Sequence, residues 1–162
     1  MDPTTRLQTF LDMVSALTGV SEKVVGQAQD AAQYLENYTQ LADKVAGTGA
    51  TDALLAIYAV VRKAFPSDQA AAKLLGGGLD GTSPDKAWPF SAMARTLMKL
   101  VLLGVWYDPN SKNPDDDGAI PTAASYSESL VWLIAQAHPV GYALQGHNDW
   151  TTTPPPLNQL IG

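Results

Sequence analysis

Residues 7–19 read LQTFLDMVSALTG, and their apolar side chains recur with the period of an α-helix. The steps between them are three or four residues, which places them on one helical face. The residues of this face are Leu7, Phe10, Leu11, Val14 and Leu17. Asp2-Pro3 or Thr4 can start the helix and Gly19 can end it. The stretch therefore predicts an amphipathic helix that packs against other elements of the chain.

The same helical period continues through most of the remaining sequence. It predicts a second helix from Ser21 to Tyr38, which either extends through Leu41 and Val45 or is followed there by a short separate helix. Two further helices are predicted from Thr51–Asp52 to Phe65 and over 69–75. A long helix follows from Pro89 to Leu103–Gly104, and the last one runs from Tyr126 to Gln136. Strand-like alternation and internal repeats are not found in the sequence, and residues 107–125 are expected to form an exposed loop. The sequence therefore predicts one all-α domain over residues 1–162, a helical bundle whose residues 142–162 form an irregular, proline-rich arm.

Composition limits the classes of function. The formal net charge is −6, the sequence pI is about 4.6, and the ten basic residues are scattered, so nucleic-acid binding is not expected. No apolar run is long enough to predict a membrane span. The absence of cysteine excludes disulfides, thiolate zinc sites and cysteine nucleophiles, but it leaves the compartment open. The N-terminal residues do not read as an export signal, which either was never present or has been removed.

Candidate catalytic and metal-binding residues are few. His138 and His147 are separated by Pro139 and Gly141, so they cannot share a helical face as zinc-binding histidine pairs do. The loop from Asn113, with Asp115 to Asp117, resembles a calcium loop, but its twelfth position is Ala124 instead of a bidentate glutamate. We therefore predict no catalytic, metal-binding or cofactor-binding residues in this chain. A small metal-binding enzyme built on the two histidines and the acidic loop remains an alternative.

Aromatic residues concentrate in the last third of the chain, where three of the four tryptophans lie. Tyr126 and Trp132 fall in the last predicted helix and, like Trp106 and Tyr107, they can fill the core between the two C-terminal helices or anchor a partner. The other members of the series lie in segments rich in glycine and proline, which bury aromatic side chains well only against a second surface. These are Trp106, Tyr107, Tyr142 and Trp150. We predict a partner interface that contains both groups together with His138 and Pro139.

The order of these motifs resembles a known family. The motifs are Gly104-Val105-Trp106-Tyr107 at a helix end, the Tyr-led helix from Tyr126 to Trp132, Ala137-His138-Pro139-x-Gly141-Tyr142, and Trp150. Together they resemble the small subunit of FAD-dependent sugar and polyol dehydrogenases, which include sorbitol, fructose, glucose and glucoside-3-dehydrogenase complexes. The N-terminal residues Phe10, Leu11, Ser15, Leu17, Thr18 and Gly19 are similar to the opening helix of the same family.

The resemblance implies a helical, non-catalytic accessory subunit. Such a subunit holds no flavin; it binds and stabilises a catalytic subunit of the glucose–methanol–choline type that contains FAD, and it often accompanies that subunit to the periplasm. A cytochrome c subunit that accepts electrons is a further expected partner. Some relatives carry a cysteine directly after the tyrosine that matches Tyr142, but this chain has Ala143, so no intersubunit disulfide is expected there. The resemblance implies a periplasmic location, with a cytoplasmic one as the alternative, and a stand-alone helical scaffold or chaperone for another client is the alternative function.

Overall fold

The computed structural model describes residues 1–28, 30–76, 89–108 and 118–135, with only the backbone described at residues 27 and 28. These residues form eight helices: α1 (Pro3–Thr18), α2 (Glu22–Ala28), α3 (Ala31–Ala46), α4 (Ala50–Ala64), α5 (Ser67–Leu75), α6 (Phe90–Leu103), α7 (Ala123–Ser127) and α8 (Leu130–Ile134). The predicted all-α fold is confirmed for this part of the chain. The predicted arm over residues 142–162 lies outside the described residues.

Helix α1 begins and ends where its sequence signals predict. The Asp2 side chain accepts a hydrogen bond from the Thr5 backbone N–H at 3.1 Å, and Pro3 occupies the first turn. Gly19 ends the helix in the left-handed conformation, at φ 73°, and its N–H donates to the Ser15 carbonyl at 2.8 Å. Capping and periodicity agree here, so the boundaries of this helix follow from local sequence.

The prediction of one helix from Ser21 to Tyr38 is wrong. The chain forms two helices that break before Asp30, whose side chain accepts a hydrogen bond from the Gln33 N–H at 3.1 Å. This N-cap satisfies a backbone donor that has no partner within the helix, so a new helix starts at Ala31. The second of the two helices continues past Leu41 and Val45 to Ala46, as one of the two predicted alternatives.

Helix α4 begins one residue before the predicted cap at Thr51–Asp52. Its N-cap is Gly49, which has φ 84° and whose N–H donates to Asp43 Oδ2 at 3.0 Å. The carboxylate at the end of α3 thus fixes the turn that leads into α4. The helix ends before Pro66, as predicted, and α5 follows from Ser67.

The buried apolar side chains form one connected cluster. Helices α1 and α6 lie at its centre: α1 packs against α2, α3, α4, α5 and α6, and α6 packs in addition against α7 and α8. The largest fully buried side chains are Phe10, Met13, Tyr34, Tyr38, Leu54, Leu55, Tyr58, Leu74, Met93, Leu97, Leu100 and Leu130. They come from α1, α3, α4, α5, α6 and α8, so elements from both halves of the chain share one core.

The prediction of one last helix from Tyr126 to Gln136 is also wrong. Two short helices, α7 and α8, stand in its place within the described residues and break at Glu128–Ser129. Ser129 has extended backbone angles of φ −64° and ψ 142°, and its side chain is buried. The prediction of an exposed loop over residues 107–125 is wrong at two places: Ala119 pairs with Trp106 in an isolated antiparallel bridge, and α7 already begins at Ala123.

None of the described helices is long and apolar enough on its own to cross a membrane. By length and composition one consecutive pair, α3 and α4, meets that requirement jointly, with a bend of 108° between the two helices.

Candidate partner-binding surface

The junction after α6 depends on a close approach between two backbone segments. Gly104 ends α6 with φ 69°, a backbone conformation that residues other than glycine rarely adopt. A Cβ atom added to Gly104 would overlap the Ser125 carbonyl oxygen and would lie 2.6 Å from Tyr126 Cα. The end of α6 and the helix α7 therefore pack backbone against backbone, and this contact requires glycine.

Ser125 holds α7 in that position with several hydrogen bonds. Its N–H donates to Thr122 Oγ1 at 3.0 Å, and the Thr122 N–H donates to Ser125 Oγ at 3.2 Å, which is a reciprocal capping box. The Ser125 hydroxyl lies 3.2 Å from the Gly104 carbonyl oxygen. The Ser125 carbonyl accepts a 2.6 Å hydrogen bond from the buried Tyr34 hydroxyl of α3. The start of the C-terminal region is therefore fixed both to α6 and to α3.

The hydroxyls of two α3 tyrosines are buried hydrogen-bond donors. Tyr34 bonds to Ser125 as described, and the Tyr38 hydroxyl donates to the Met93 carbonyl at 2.9 Å. Burial raises the pKa of both groups, and the nearby carboxylates of Glu128 and Asp43 raise the pKa of Tyr34 and Tyr38 respectively by a smaller amount. Both tyrosines are therefore neutral hydrogen-bond donors near neutral pH.

Trp106 lies in the core. Its indole is only 7% exposed and packs edge-on against the Tyr38 ring, with 6.2 Å between the ring centroids. Its backbone pairs with Ala119 through hydrogen bonds of 2.7 and 2.8 Å. Of the two roles that the sequence leaves open for Trp106, this placement favours the core.

Tyr107 is the next residue and is partly exposed. The Lys99 ammonium lies 4.6 Å from the centre of its ring, which is a cation–π distance. Gly118, on the paired segment, has φ 75°, and a Cβ atom there would lie 3.1 Å from Tyr107 Cε1 and would overlap the Val105 side chain. The paired segment thus fixes Tyr107 at the surface of the molecule.

Tyr126 and Trp132 form a second aromatic pair. Their rings meet edge to face at 5.3 Å between centroids, and the Trp132 Nε1–H donates to the Tyr126 carbonyl at 2.9 Å. Both residues are partly exposed. The break between α7 and α8 allows this contact, because it turns the chain so that residues six positions apart face one another. Each of the two rings thus has an internal contact and an exposed edge.

Three aliphatic residues in the same part of the sequence are exposed, and the sequence patterns did not indicate them. Leu103 at the end of α6 is 38% exposed, Ile120 beside the Trp106–Ala119 bridge is 54% exposed, and Ile134 at the end of α8 is 43% exposed. Ile120 is the residue that local sequence could have indicated, as a large aliphatic in a segment otherwise rich in polar residues. We call these three residues, together with Tyr107 and Trp132, the C-terminal apolar set.

The remaining predicted interface residues are His138, Pro139, Tyr142 and Trp150, and they lie outside the described residues. The same is true of His147 and of the acidic loop from Asp115 to Asp117. Among the residues that are described, no three His, Cys, Asp or Glu side chains are grouped so that they could hold a metal ion. Of the predicted interface residues, the structure therefore describes four: Trp106, Tyr107, Tyr126 and Trp132.

No protein family, curated protein or solved structure matches this chain.

Proposed function

We propose that this chain is a non-catalytic accessory subunit that binds and stabilises an FAD-dependent sugar or polyol dehydrogenase of the glucose–methanol–choline type. The observation that carries the proposal is the C-terminal apolar set, which belongs to the same segment as the family-like motifs. Three of the five large aliphatic side chains exposed in the described residues fall between residues 103 and 134. Contiguous exposed apolar groups are typical of a binding surface, and in this proposal these side chains form one such surface.

The positions of the five residues of the C-terminal apolar set on ordered elements support this proposal. Leu103 precedes the rigid Gly104 junction, Tyr107 and Ile120 flank the backbone pairing of Trp106 with Ala119, and Ile134 ends α8, which packs on α6. Its members thus lie on α6 itself or on segments next to α6: α8 packs on α6, and Tyr107 contacts Lys99 of α6. A surface that is ordered before binding loses less conformational entropy when a partner docks.

The aromatic side chains suit such a role. Tyr107 and Trp132 offer large contact area with few rotatable bonds, and interface residues that contribute most binding energy are often of these types. Trp106 is not among the proposed anchors, because its side chain is buried. In this proposal Trp106 packs in the core next to Tyr107 in the chain and does not contact the partner. Tyr142 and Trp150 remain anchors predicted from sequence alone.

The first test is co-expression of the tagged, full-length chain with the products of its neighbouring genes, followed by affinity purification. We expect a yellow complex that reduces an artificial electron acceptor in the presence of at least one sugar from a panel. The chain purified alone should be colourless and inactive. A flavin-containing or active isolated chain would overturn the proposal, and stable co-purification with a client that lacks flavin would support the scaffold alternative instead.

The second test changes the surface without changing the core. Ile120→Asp places a charge on an exposed member of the C-terminal apolar set, and Val60→Asp places the same charge on α4, where Val60 is 62% exposed. We expect Ile120→Asp to weaken complex formation by at least about tenfold, the typical effect at an energetically important contact, while Val60→Asp leaves it unchanged. Equal binding of the two variants would exclude this surface. Circular dichroism should show that both variants keep the helical content and melting temperature of the parent chain.

A further inference from the structure

A groove with a volume of about 330 Å³ opens between α1 and α4, beside the start of α2. It lies on helices that do not carry the C-terminal apolar set, and most of the residues that line it carry a polar or charged group. The side chains that matter here are Gln8 and Asp12 of α1, Glu22 of α2, and Tyr58, Arg62 and Lys63 of α4. Its volume is at the lower end of the range for ligand-binding sites, about 300–1,000 Å³, so only a small molecule would fill it.

The charges of Asp12 and Arg62 compensate each other. Asp12 Oδ2 accepts from Arg62 Nε at 3.1 Å and from the Tyr58 hydroxyl at 3.0 Å. Arg62 also donates through Nη1 to the Phe65 carbonyl at 3.2 Å. Tyr58 is buried, and this burial raises the pKa of its hydroxyl, with the hydrogen bond to Asp12 as the next cause. One part of the lining is therefore a fixed hydrogen-bonded network without net charge.

Two further charges in the lining have no partner of opposite sign among the described residues. Glu22 accepts a 2.6 Å hydrogen bond from the neutral Gln8 amide, and it forms no ion pair with any residue in the described ranges. Lys63 makes neither a hydrogen bond nor an ion pair in the part of the chain that the structure describes. The two charges come from different helices, Glu22 from α2 and Lys63 from α4. Within the described part of the chain, the groove therefore presents one negative and one positive charge without an ion-pair partner, beside a neutral network.

We propose that this groove binds a small zwitterion of the size of an amino acid or a dipeptide, with its ammonium group toward Glu22 and its carboxylate toward Lys63. A ligand with a single charge would gain from one of these groups and lose to the other. A zwitterion can make a charge-assisted hydrogen bond with each of them. This site is independent of the partner surface proposed above, so each proposal can fail without affecting the other.

The test uses the full-length, ¹⁵N-labelled chain and follows its backbone amide signals during titration with glycylglycine. We expect saturable shifts confined to residues 8–12, 22–23 and 58–63, with a dissociation constant in the millimolar range because the groove is open to solvent. Two analogues each remove one charge: N-acetylglycylglycine lacks the ammonium group, and glycylglycinamide lacks the carboxylate. Each should bind about fivefold more weakly, the effect of losing one exposed charge pair.

Variants identify the groups in the protein. Glu22→Gln and Lys63→Gln should each weaken glycylglycine binding about fivefold while the remaining amide signals keep their positions. Lys23→Gln is the matched control, because Lys23 is exposed on the same helix as Glu22 but does not line the groove. The proposal is overturned if glycylglycine causes no saturable shift, if the analogues bind as tightly as glycylglycine, or if the control variant weakens binding as much as Lys63→Gln.

Discussion

Gly104→Ala should destabilise this protein far more than a glycine-to-alanine change usually does. At φ 69° an alanine costs about 1–2 kcal/mol relative to glycine, and restricting the unfolded chain returns about 0.4–1 kcal/mol. In addition, the new Cβ would overlap the Ser125 carbonyl oxygen, so the backbone of α7 must move away. That movement would disrupt the hydrogen bond from the buried Tyr34 hydroxyl, and leaving a buried polar group unsatisfied costs about 1–3 kcal/mol. We therefore expect a loss of about 3 kcal/mol in the free energy of unfolding.

Gly19→Ala is the matched control for this prediction. Gly19 also ends a helix in the left-handed conformation, at φ 73°, but a Cβ atom there would have no neighbour within 4 Å. It should lose only the conformational part, about 1 kcal/mol. Urea unfolding followed by circular dichroism measures both variants. Equal losses in the two would refute the close approach between α6 and α7, and failure of Gly104→Ala alone to fold would support it.

Two further predictions concern the buried tyrosines of α3. Tyr34→Phe should lower the free energy of unfolding by about 1–3 kcal/mol, because the buried Ser125 carbonyl loses its 2.6 Å hydrogen bond; an unchanged urea midpoint would show that this bond contributes nothing. The pKa of the Tyr38 hydroxyl is raised in the folded protein, so its contribution to stability is complete below its unfolded pKa of about 10 and is lost as the pH rises above it. The urea midpoint should therefore fall above about pH 10, and less steeply in Tyr38→Phe than in the parent chain; identical slopes would contradict this origin.

Helices α1 and α6 could be predicted from sequence because every local signal agrees on them. Asp2 and Gly19 bound the first, Pro89 and Gly104 bound the second, and the apolar period runs unbroken between those residues. The breaks at Asp30 and Ser129 were missed for the opposite reason. The three- and four-residue steps of apolar residues continue through both positions, so periodicity alone gives no indication that the chain changes direction.

The candidate surface was predictable only as a region. The sequence indicates that aromatic residues concentrate after Gly104, but it cannot say which of them face the core. Trp106 is buried because Tyr38 of α3, distant in sequence, packs against its ring. The exposure of Ile134 depends on where α8 lies relative to α6. Such placements arise from tertiary packing, so the local pattern of apolar and polar residues does not predict them.

The hydrogen bond between Tyr34 and Ser125 joins residues that are 91 positions apart, and the one between Tyr38 and Met93 joins residues 55 positions apart. Contacts of such long range form only after the chain has lost the entropy of closing a large loop, so they belong to the later events of folding. A chain still on the ribosome cannot form the first of these bonds before Ser125 in α7 has emerged, or the second before Met93 in α6 has emerged. We therefore expect the C-terminal apolar set to reach its final arrangement late in folding, so that a partner that binds it would select chains whose core has already formed.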